Sequence, residues 1–293
     1  MISTELKIEI EIILSTKFSA EIKILNTKPV SGGCINETLK LETNFGNYFL
    51  KLNSAEVFPK MFEAEAKGLK LLSDANEITI PSVVYHGEFH QTTFLILEWI
   101  ESGRRSKNFF EDFGRKLARL HKHPNNFFGL DHDNYIGSLP QSNKQYENGI
   151  DFFIEQRLMK QIELAESNNA IDHLTIKQFN HLFKKLPEII PDEKPALIHG
   201  DLWNGNFMTD KNGNACLIDP AVYYGFREAD LAMTKLFGGF DFGFYFSYDE
   251  EFPLQKDWEE RMDIFNLYPL MVHVNLFGGG YLEQVKMILK RFS

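Results

Sequence analysis

Only two cysteines, Cys34 and Cys216, occur among the 293 residues, so no disulfide framework holds this chain together and a reducing compartment is expected. No apolar run approaches the ~20 residues needed to cross a bilayer. The segment from Met1 to Leu14 interleaves Glu and Lys with its isoleucines and lacks the apolar core of a signal peptide. A soluble, cytoplasmic protein is the expectation. There is no block of Lys or Arg. The 31 basic and 41 acidic residues leave a net charge of -10, which argues against nucleic acid or an anionic membrane as partner. Internal repeats and low-complexity linkers are missing as well. Apolar residues, by contrast, are plentiful at 43%, ample for a sizeable core, and the length suggests two domains or lobes.

The first hundred residues read mainly as strands. Glu5 to Phe18 fits two templates: Leu6, Ile10, Ile13 and Leu14 share a helical face, while Leu6, Ile8, Ile10 and Ile12 alternate as in a strand. Length and the Ser3/Thr4 cap candidates favour a helix. Strand-like runs follow at Ile22 to Leu25, Thr38 to Glu42 and Tyr48 to Leu52, with turns at Gly32-Gly33 and Asn44 to Asn47. A helix is expected from Pro59 to about Ser73, then strands near Val83 to Gly87 and Thr93 to Trp99. Beyond Ser102-Gly103 the pattern turns helical: Asn108 to His121, Ile150 to Ser167, Asp172 to Leu186, Arg227 to Phe237, Trp258 to Phe277 and Tyr281 to Arg291. Short strands are expected near Ala196 to Ile198 and Ala215 to Ile218. The fold class is therefore α+β, with two lobes: an antiparallel sheet lobe over residues 1–101 and a mainly helical lobe over 102–293, the plan of kinases.

The most telling stretch is Leu197-Ile198-His199-Gly200-Asp201-Leu202-Trp203-Asn204-Gly205-Asn206. An aspartate is followed five residues later by an asparagine, and a second apolar run, Cys216-Leu217-Ile218, ends in Asp219. This spacing matches the catalytic loop of kinase-like phosphotransferases. There one aspartate takes the acceptor proton, here Asp201. The asparagine and second aspartate, here Asn206 and Asp219, hold Mg²⁺ against the phosphates of ATP. A carboxylate closing an apolar strand is unfavourable unless paired or metal-bound.

The phosphates also require a fixed cation, and Lys51 sits inside the apolar strand Phe49-Leu50-Lys51-Leu52. Its acidic orienter should lie on the next helix, where Glu65 shares a face with Phe62, Leu69 and Leu72, while Glu63 falls with Lys67 and Lys70 on the wet face. Gly32 and Gly33 lie between two strands, where backbone N–H groups can cover phosphate oxygens, although a plain hairpin turn fits them too. Glu98 and Ile100 stand at the expected lobe junction, where backbone can pair with adenine, or where a strand simply ends.

These residues resemble the fructosamine kinase (ketosamine 3-kinase) family. The likeness runs through His199 to Asn206, through Ile218-Asp219-Pro220-Ala221-Val222-Tyr223-Tyr224-Gly225-Phe226-Arg227-Glu228-Ala229-Asp230-Leu231-Ala232-Met233, and through Leu236 to Phe240. Gly32 to Ile35, Asp133-Asn134-Tyr135-Ile136-Gly137, Gln156-Arg157 and Asn275 to Leu282 extend it over almost the whole chain. The resemblance implies an aminoglycoside-phosphotransferase-like fold and ATP-dependent phosphorylation of a sugar-derived ketosamine, free or protein-bound, at the sugar 3-hydroxyl, after which the adduct detaches from its amine. Another small hydroxylated amine, aminoglycoside or choline-like, is the competing acceptor, and a nucleotide-binding pseudokinase the non-enzymatic reading. Phe226 stands where an aspartate is usual, and His199-Gly200 replaces the His-Arg of protein kinases, so no activation-loop phosphorylation is expected. Trp203, two residues past the base, is placed to stack on the substrate's sugar or amine. Cys34 beside Gly33 is a candidate redox site, its thiolate favoured by nearby N–H groups. The expected state is a monomer, or a homodimer linked through oxidised Cys34.

Overall fold

The protein is described here by a computed structural model covering residues 2–30 and 35–292. Gly32, Gly33 and Cys34 lie outside the described residues. Helix α1 (Thr4–Phe18) begins where the Ser3 hydroxyl accepts the Leu6 N–H, and it buries Leu6, Ile10 and Leu14. The helical template thus prevails over the alternating one: Ile8 and Ile12, which a strand would have put beside Leu6 and Ile10, are exposed.

The strands are β1 (Ile24–Pro29), β2 (Glu37–Thr43), β3 (Gly46–Ser54), β4 (Val83–Phe89) and β5 (Thr92–Glu98), with α2 (Met61–Ala75) between β3 and β4. They form one antiparallel sheet in the order β1-β2-β3-β5-β4. Alternation along the strands makes two faces. Leu39, Leu41, Leu50, Phe94 and Ile96 pack with α1 in a core of their own, while Leu95 and Leu97 join α2 and the main core. Lys51, opposite Leu95 in the β3–β5 register, faces the α2 side. The first strand differs from expectation: it starts at Ile24 rather than Ile22 and continues through polar Asn26, Thr27 and Lys28. It is an edge strand, so pairing with β2, not apolar content, sets its length. Helix α2 likewise starts at Met61 rather than Pro59, because Lys60 adopts a left-handed conformation (φ 60°).

The second lobe opens with α3 (Phe109–His121), followed by the hairpin β6 (Asn134–Ile136) and β7 (Leu139–Gln141). Next come α4 (Gly149–Phe152), a π-helical stretch at Phe153–Leu158, α5 (Met159–Ser167) and α6 (His173–Ile189). The π-helical stretch divides the single helix expected over Ile150 to Ser167. Strands β8 (Ala196–Ile198), β9 (Phe207–Thr209), β10 (Ala215–Leu217) and β11 (Tyr223–Gly225) frame the candidate catalytic loop, with β8 paired to β11 and β9 to β10. Helices α7 (Arg227–Leu236), α8 (Phe242–Glu251), α9 (Trp258–Phe277) and α10 (Tyr281–Arg291) complete the lobe. Helix α8 was not expected. Its capping residue Asp241 accepts the Gly243 N–H, and it packs against α3 with Phe244, Tyr245 and Tyr248 buried. Among the described residues no helix is long and apolar enough to cross a membrane.

Candidate active site

Five of the polar residues singled out in the sequence meet in one cleft between the lobes. Lys51 reaches across from β3 to Glu65 on α2, with Nζ 2.7 and 2.9 Å from the two carboxylate oxygens, and to Asp219 Oδ1 at 2.9 Å. Burial works against a charge on Lys51, but Asp219 and Glu65 outweigh it and hold the ammonium well above its ordinary value. Glu65 is raised, chiefly by burial. Glu63, two residues away, pairs instead with Lys67 at the surface.

The loop after β8 is built by a glycine and a histidine. Gly200 has φ +82°, and a Cβ there would lie 2.1 Å from the Ala221 carbonyl oxygen. No larger residue fits, which accounts for glycine after His199. His199 is fully buried, and burial lowers its pKa. Its Nδ1 accepts the Asp201 N–H at 3.3 Å, so Nε2 carries the proton and donates to the Ile218 carbonyl at 3.0 Å. A neutral imidazole thus ties the Asp201 segment to the strand end preceding Asp219. Behind the loop, Asp230 on α7 accepts the N–H groups of His199 and Gly200 at 2.7 and 2.9 Å, and His121 Nε2 lies 3.2 Å from it. Burial opposes the charge of Asp230, but His121 and the loop amides bring its pKa below the ordinary value.

Asp201 sits in front of this scaffold. Burial pushes its carboxyl up to about 7, partly offset by the hydrogen bond from Asn206. Asn206 Nδ2 donates to Asp201 Oδ2 at 2.8 Å and to its carbonyl at 2.9 Å. With its nitrogen so committed to Asp201, the Oδ1 of Asn206 is the side-chain atom left to meet a cation. Asp219 stands at φ 51° with its side chain 40% exposed, so its carboxylate projects from the strand end into the cleft. An amide oxygen and a carboxylate are hard donors of the kind Mg²⁺ takes, usually with no more than two protein carboxylates, and the pair fits that ion.

A cavity of about 430 Å³ joins these groups to an apolar wall. Trp203 lies across Gly205, where a Cβ would be 2.4 Å from its ring, and meets Phe237 edge-on at 5.9 Å. Phe237 then contacts His273 at 4.9 Å, and His273 contacts Tyr281 at 4.9 Å. Glu98 and Ile100 are not brought to this cavity. The Glu98 N–H donates to the Ser82 carbonyl, and its side chain accepts from the Ser82 hydroxyl.

The family model for fructosamine kinase matches residues 7–293. The chain belongs to the fructosamine kinase family. A probable ketoamine kinase of Synechocystis sp. is 39% identical over 274 residues, covering 92% of this chain and 90% of that protein. The chloroplastic protein-ribulosamine 3-kinase of Arabidopsis thaliana is 38% identical over 269 residues, 89% of this chain and 80% of that one. The crystal structure of a putative fructosamine-3-kinase from Haemophilus somnus 129PT has a TM-score of 0.87 at 28% identity, covering 98% of this chain and 99% of the other. At 17% identity a choline kinase from Streptococcus pneumoniae (TM-score 0.62, covering 97% and 99%) shares the protein-kinase-like fold alone.

At Phe226, where the resemblance led to an expected aspartate, the structure accounts for the ring in this member of the fructosamine kinase family. Phe226 precedes α7 without capping it and is buried between Phe128 at 5.0 Å and Phe265 at 5.6 Å. The sequence reading missed the role of Asp230. The sequence carried no local signal for it: Arg227, Glu228 and Asp230 open α7 as surface charges would, yet all three are buried and paired.

Proposed function

We propose that this protein transfers the γ-phosphoryl group of ATP to the 3-hydroxyl of a sugar-derived ketosamine, leading to loss of the sugar from its amine. The observation that carries this reading is the shared cleft: Lys51, Glu65 and Asp219 on one side, Asp201 and Asn206 beside them, and the Trp203 wall adjoining. Membership in the fructosamine kinase family supports the ketosamine as acceptor.

In this reading Lys51, fixed by Glu65, binds the α- and β-phosphates. Asn206 Oδ1 and the Asp219 carboxylate would hold Mg²⁺, which would supply positive charge against the phosphates of ATP. Asp201 accepts the proton of the acceptor hydroxyl as its oxygen bonds to the γ-phosphorus and ADP departs. Its raised pKa suits it to take a proton near neutral pH. The Asn206 amide aims the carboxylate. Trp203 packs on the sugar or its amine, where a cation–π contact contributes roughly 0.5–2 kcal/mol.

The test is transfer of label from γ-labelled ATP to ribulosamine, erythrulosamine and fructosamine, free and on a protein, beside choline and an aminoglycoside. Labelled ketosamine followed by release of unmodified amine is the expected result. Labelling of choline or the aminoglycoside alone would overturn the acceptor assignment, and nucleotide binding without transfer would overturn the enzyme.

A further inference from the structure

Asp133 to Gly137 and Gln156-Arg157 stand out in the sequence, and Asn134 to Gly137 line the cavity, yet the phosphoryl-transfer chemistry as described gives none of them a role. The structure joins them. Asn134 is almost fully buried, and its Nδ2 donates to the Val222 carbonyl at 2.8 Å, three residues past Asp219. Its Oδ1 accepts from Gln141 Nε2 at 2.7 Å and Asn143 Nδ2 at 2.9 Å, and Gln141 also donates to the Ala221 carbonyl at 3.1 Å. Asn143 in turn is held by Arg157, whose Nη2 donates to its Oδ1 at 2.7 Å. Arg157 is wholly buried with no carboxylate partner among the described residues. Its guanidinium lies 3.8 Å from the centre of the Tyr223 ring and donates to the Ser142 carbonyl. Carbonyls, the Asn143 amide and aromatic faces offset the cost of this buried cation, although its Nε has no hydrogen-bond partner among the described residues, and the whole network ends on the backbone of Ala221 and Val222.

The other side of the β6–β7 hairpin reaches the first lobe. The Tyr135 hydroxyl donates to the Pro59 carbonyl at 3.0 Å, just before α2, and its ring meets Phe58 edge-on at 6.3 Å. Helix α2 also touches the Val222 segment directly: a Cβ on Gly68 would lie 3.1 Å from Val222 Cγ2. Gly68 is one helical turn beyond Glu65. Three contacts therefore close a ring, from Asn134 to Val222, from Val222 to Gly68, and from the start of α2 back to Tyr135. Glu65 and Asp219, the two partners of Lys51, stand on the two segments this ring joins.

We propose that Tyr135 and Asn134 are positioning residues for the phosphoryl donor: the β6–β7 hairpin clasps the start of α2 to the segment after Asp219 and so fixes the Lys51–Glu65–Asp219 geometry. The inference rests on the reading of those three residues as the nucleotide site. It supplies a fixed mount for the pair with Lys51 built from the fold itself. The segment leading into one lobe's helix is fastened to the other lobe's hairpin by a hydroxyl and a carbonyl. The clasp acts through α2, so its loss is felt in ATP handling and not in acceptor binding.

The experiment compares wild type with Tyr135→Phe, which removes only the hydroxyl and keeps the ring against Phe58. One hydrogen bond of this kind should raise KM for ATP about threefold to tenfold. KM for the ketosamine and the melting temperature should stay as in wild type. Combining it with Glu65→Gln should be no worse than Glu65→Gln alone, because both act through the same helix. Gly68→Ala sets a methyl 3.1 Å from Val222 Cγ2 and so tightens the contact by a few tenths of an ångström; it should lower kcat/KM for ATP, and adding Val222→Ala should restore it. An unchanged KM for ATP in Tyr135→Phe, a rise confined to the ketosamine KM, or additive losses with Glu65→Gln would each overturn the clasp. Absence of ATP-dependent transfer by the wild type is a different result, and it would overturn the function instead.

Discussion

Asp230 accepts the backbone N–H of His199 at 2.7 Å, so a carboxylate on α7 sets the position of the loop that carries Asp201. The same carboxylate takes the Gly200 N–H at 2.9 Å. In Asp230→Asn one of these amides would face an NH₂ group. The expected loss is about 2–4 kcal/mol in denaturant unfolding at pH 7, with turnover down about tenfold to a hundredfold through misplacement of the base. The pH dependence has a definite sign. The folded-state pKa of Asp230 is depressed, so its contribution is present above the ordinary carboxyl value and lost as pH falls through the depressed one. The stability difference between wild type and Asp230→Asn should be constant from pH 7 to about 4.5 and shrink below. A difference that grows with acidification would contradict it.

Asp201 and Asp219 should separate in their effects. Asp201→Asn should lower turnover by about 10²–10⁴, the usual weight of a general base, while nucleotide affinity holds. Asp219→Asn should weaken Mg²⁺–nucleotide binding as well, since it removes a carboxylate that Lys51 also contacts. Titration calorimetry with a non-hydrolysable ATP analogue distinguishes the two. Wild-type turnover in Asp201→Asn would remove it as the base.

The two glutamates of α2 make an internal control. Glu65 is tied to buried Lys51, and Glu63 to Lys67, whose side chain is half exposed. Lys51→Ala should lower kcat/KM for ATP by about 10²–10³, with Glu65→Ala shifting it in the same direction. Glu63→Ala should leave kcat/KM unchanged and stability within about 0.5 kcal/mol. Equal losses in both glutamate variants would overturn the assignment.

Phe226 tests whether the ring at this position serves packing. Phe226→Ala should destabilise by about 3 kcal/mol, the usual cost of emptying a buried ring site. Phe226→Asp gains a cap for α7 worth about 1 kcal/mol and still loses the ring, so it should also be less stable than wild type. Both should keep the wild-type KM for ATP. A stabilised Phe226→Asp would mean the ring is not packed as described.

Much of this arrangement was legible because it depends on local periodicity. The Leu–Lys–Leu alternation of β3 puts Lys51 on the face opposite Leu50, and the helical spacing of Phe62, Glu65, Leu69 and Leu72 puts Glu65 where Lys51 arrives. Helices α9 and α10 begin and end as expected, because Gly278-Gly279-Gly280 separates them. Tertiary contacts were not legible. Phe242, Phe244, Tyr245 and Phe246 show no simple apolar stripe, since α8 exposes Phe242 and Phe246 while burying the other two. The β6–β7 strands are only three residues each, too short for an alternation to register. What holds the hairpin is a polar network with partners more than eighty residues away, such as the Val222 carbonyl for Asn134. The placement of Glu98 and Ile100 rested on chain position alone, and neither lines the cavity.

The final prediction concerns the two thiols, and it works by elimination. Cys216 is fully buried in β10 between Ala215 and Leu217. Burial, aided by Asp210 and Glu98, pushes its pKa up to about 12. At neutral pH it is a thiol, and the thiolate is the form that reacts with peroxide. The chain has only one other cysteine, Cys34. Any reversible sensitivity to mild oxidants should therefore run through Cys34, which follows directly on Gly32-Gly33, the segment proposed to cover the phosphates. Peroxide should inhibit wild type and Cys216→Ala alike, dithiothreitol should restore both, and Cys34→Ala should be resistant. A covalent dimer in the oxidised wild type, absent from Cys34→Ala on non-reducing gels, would accompany an intermolecular disulfide. Inhibition that persists in Cys34→Ala would rule out this thiol while leaving the phosphotransferase assignment untouched.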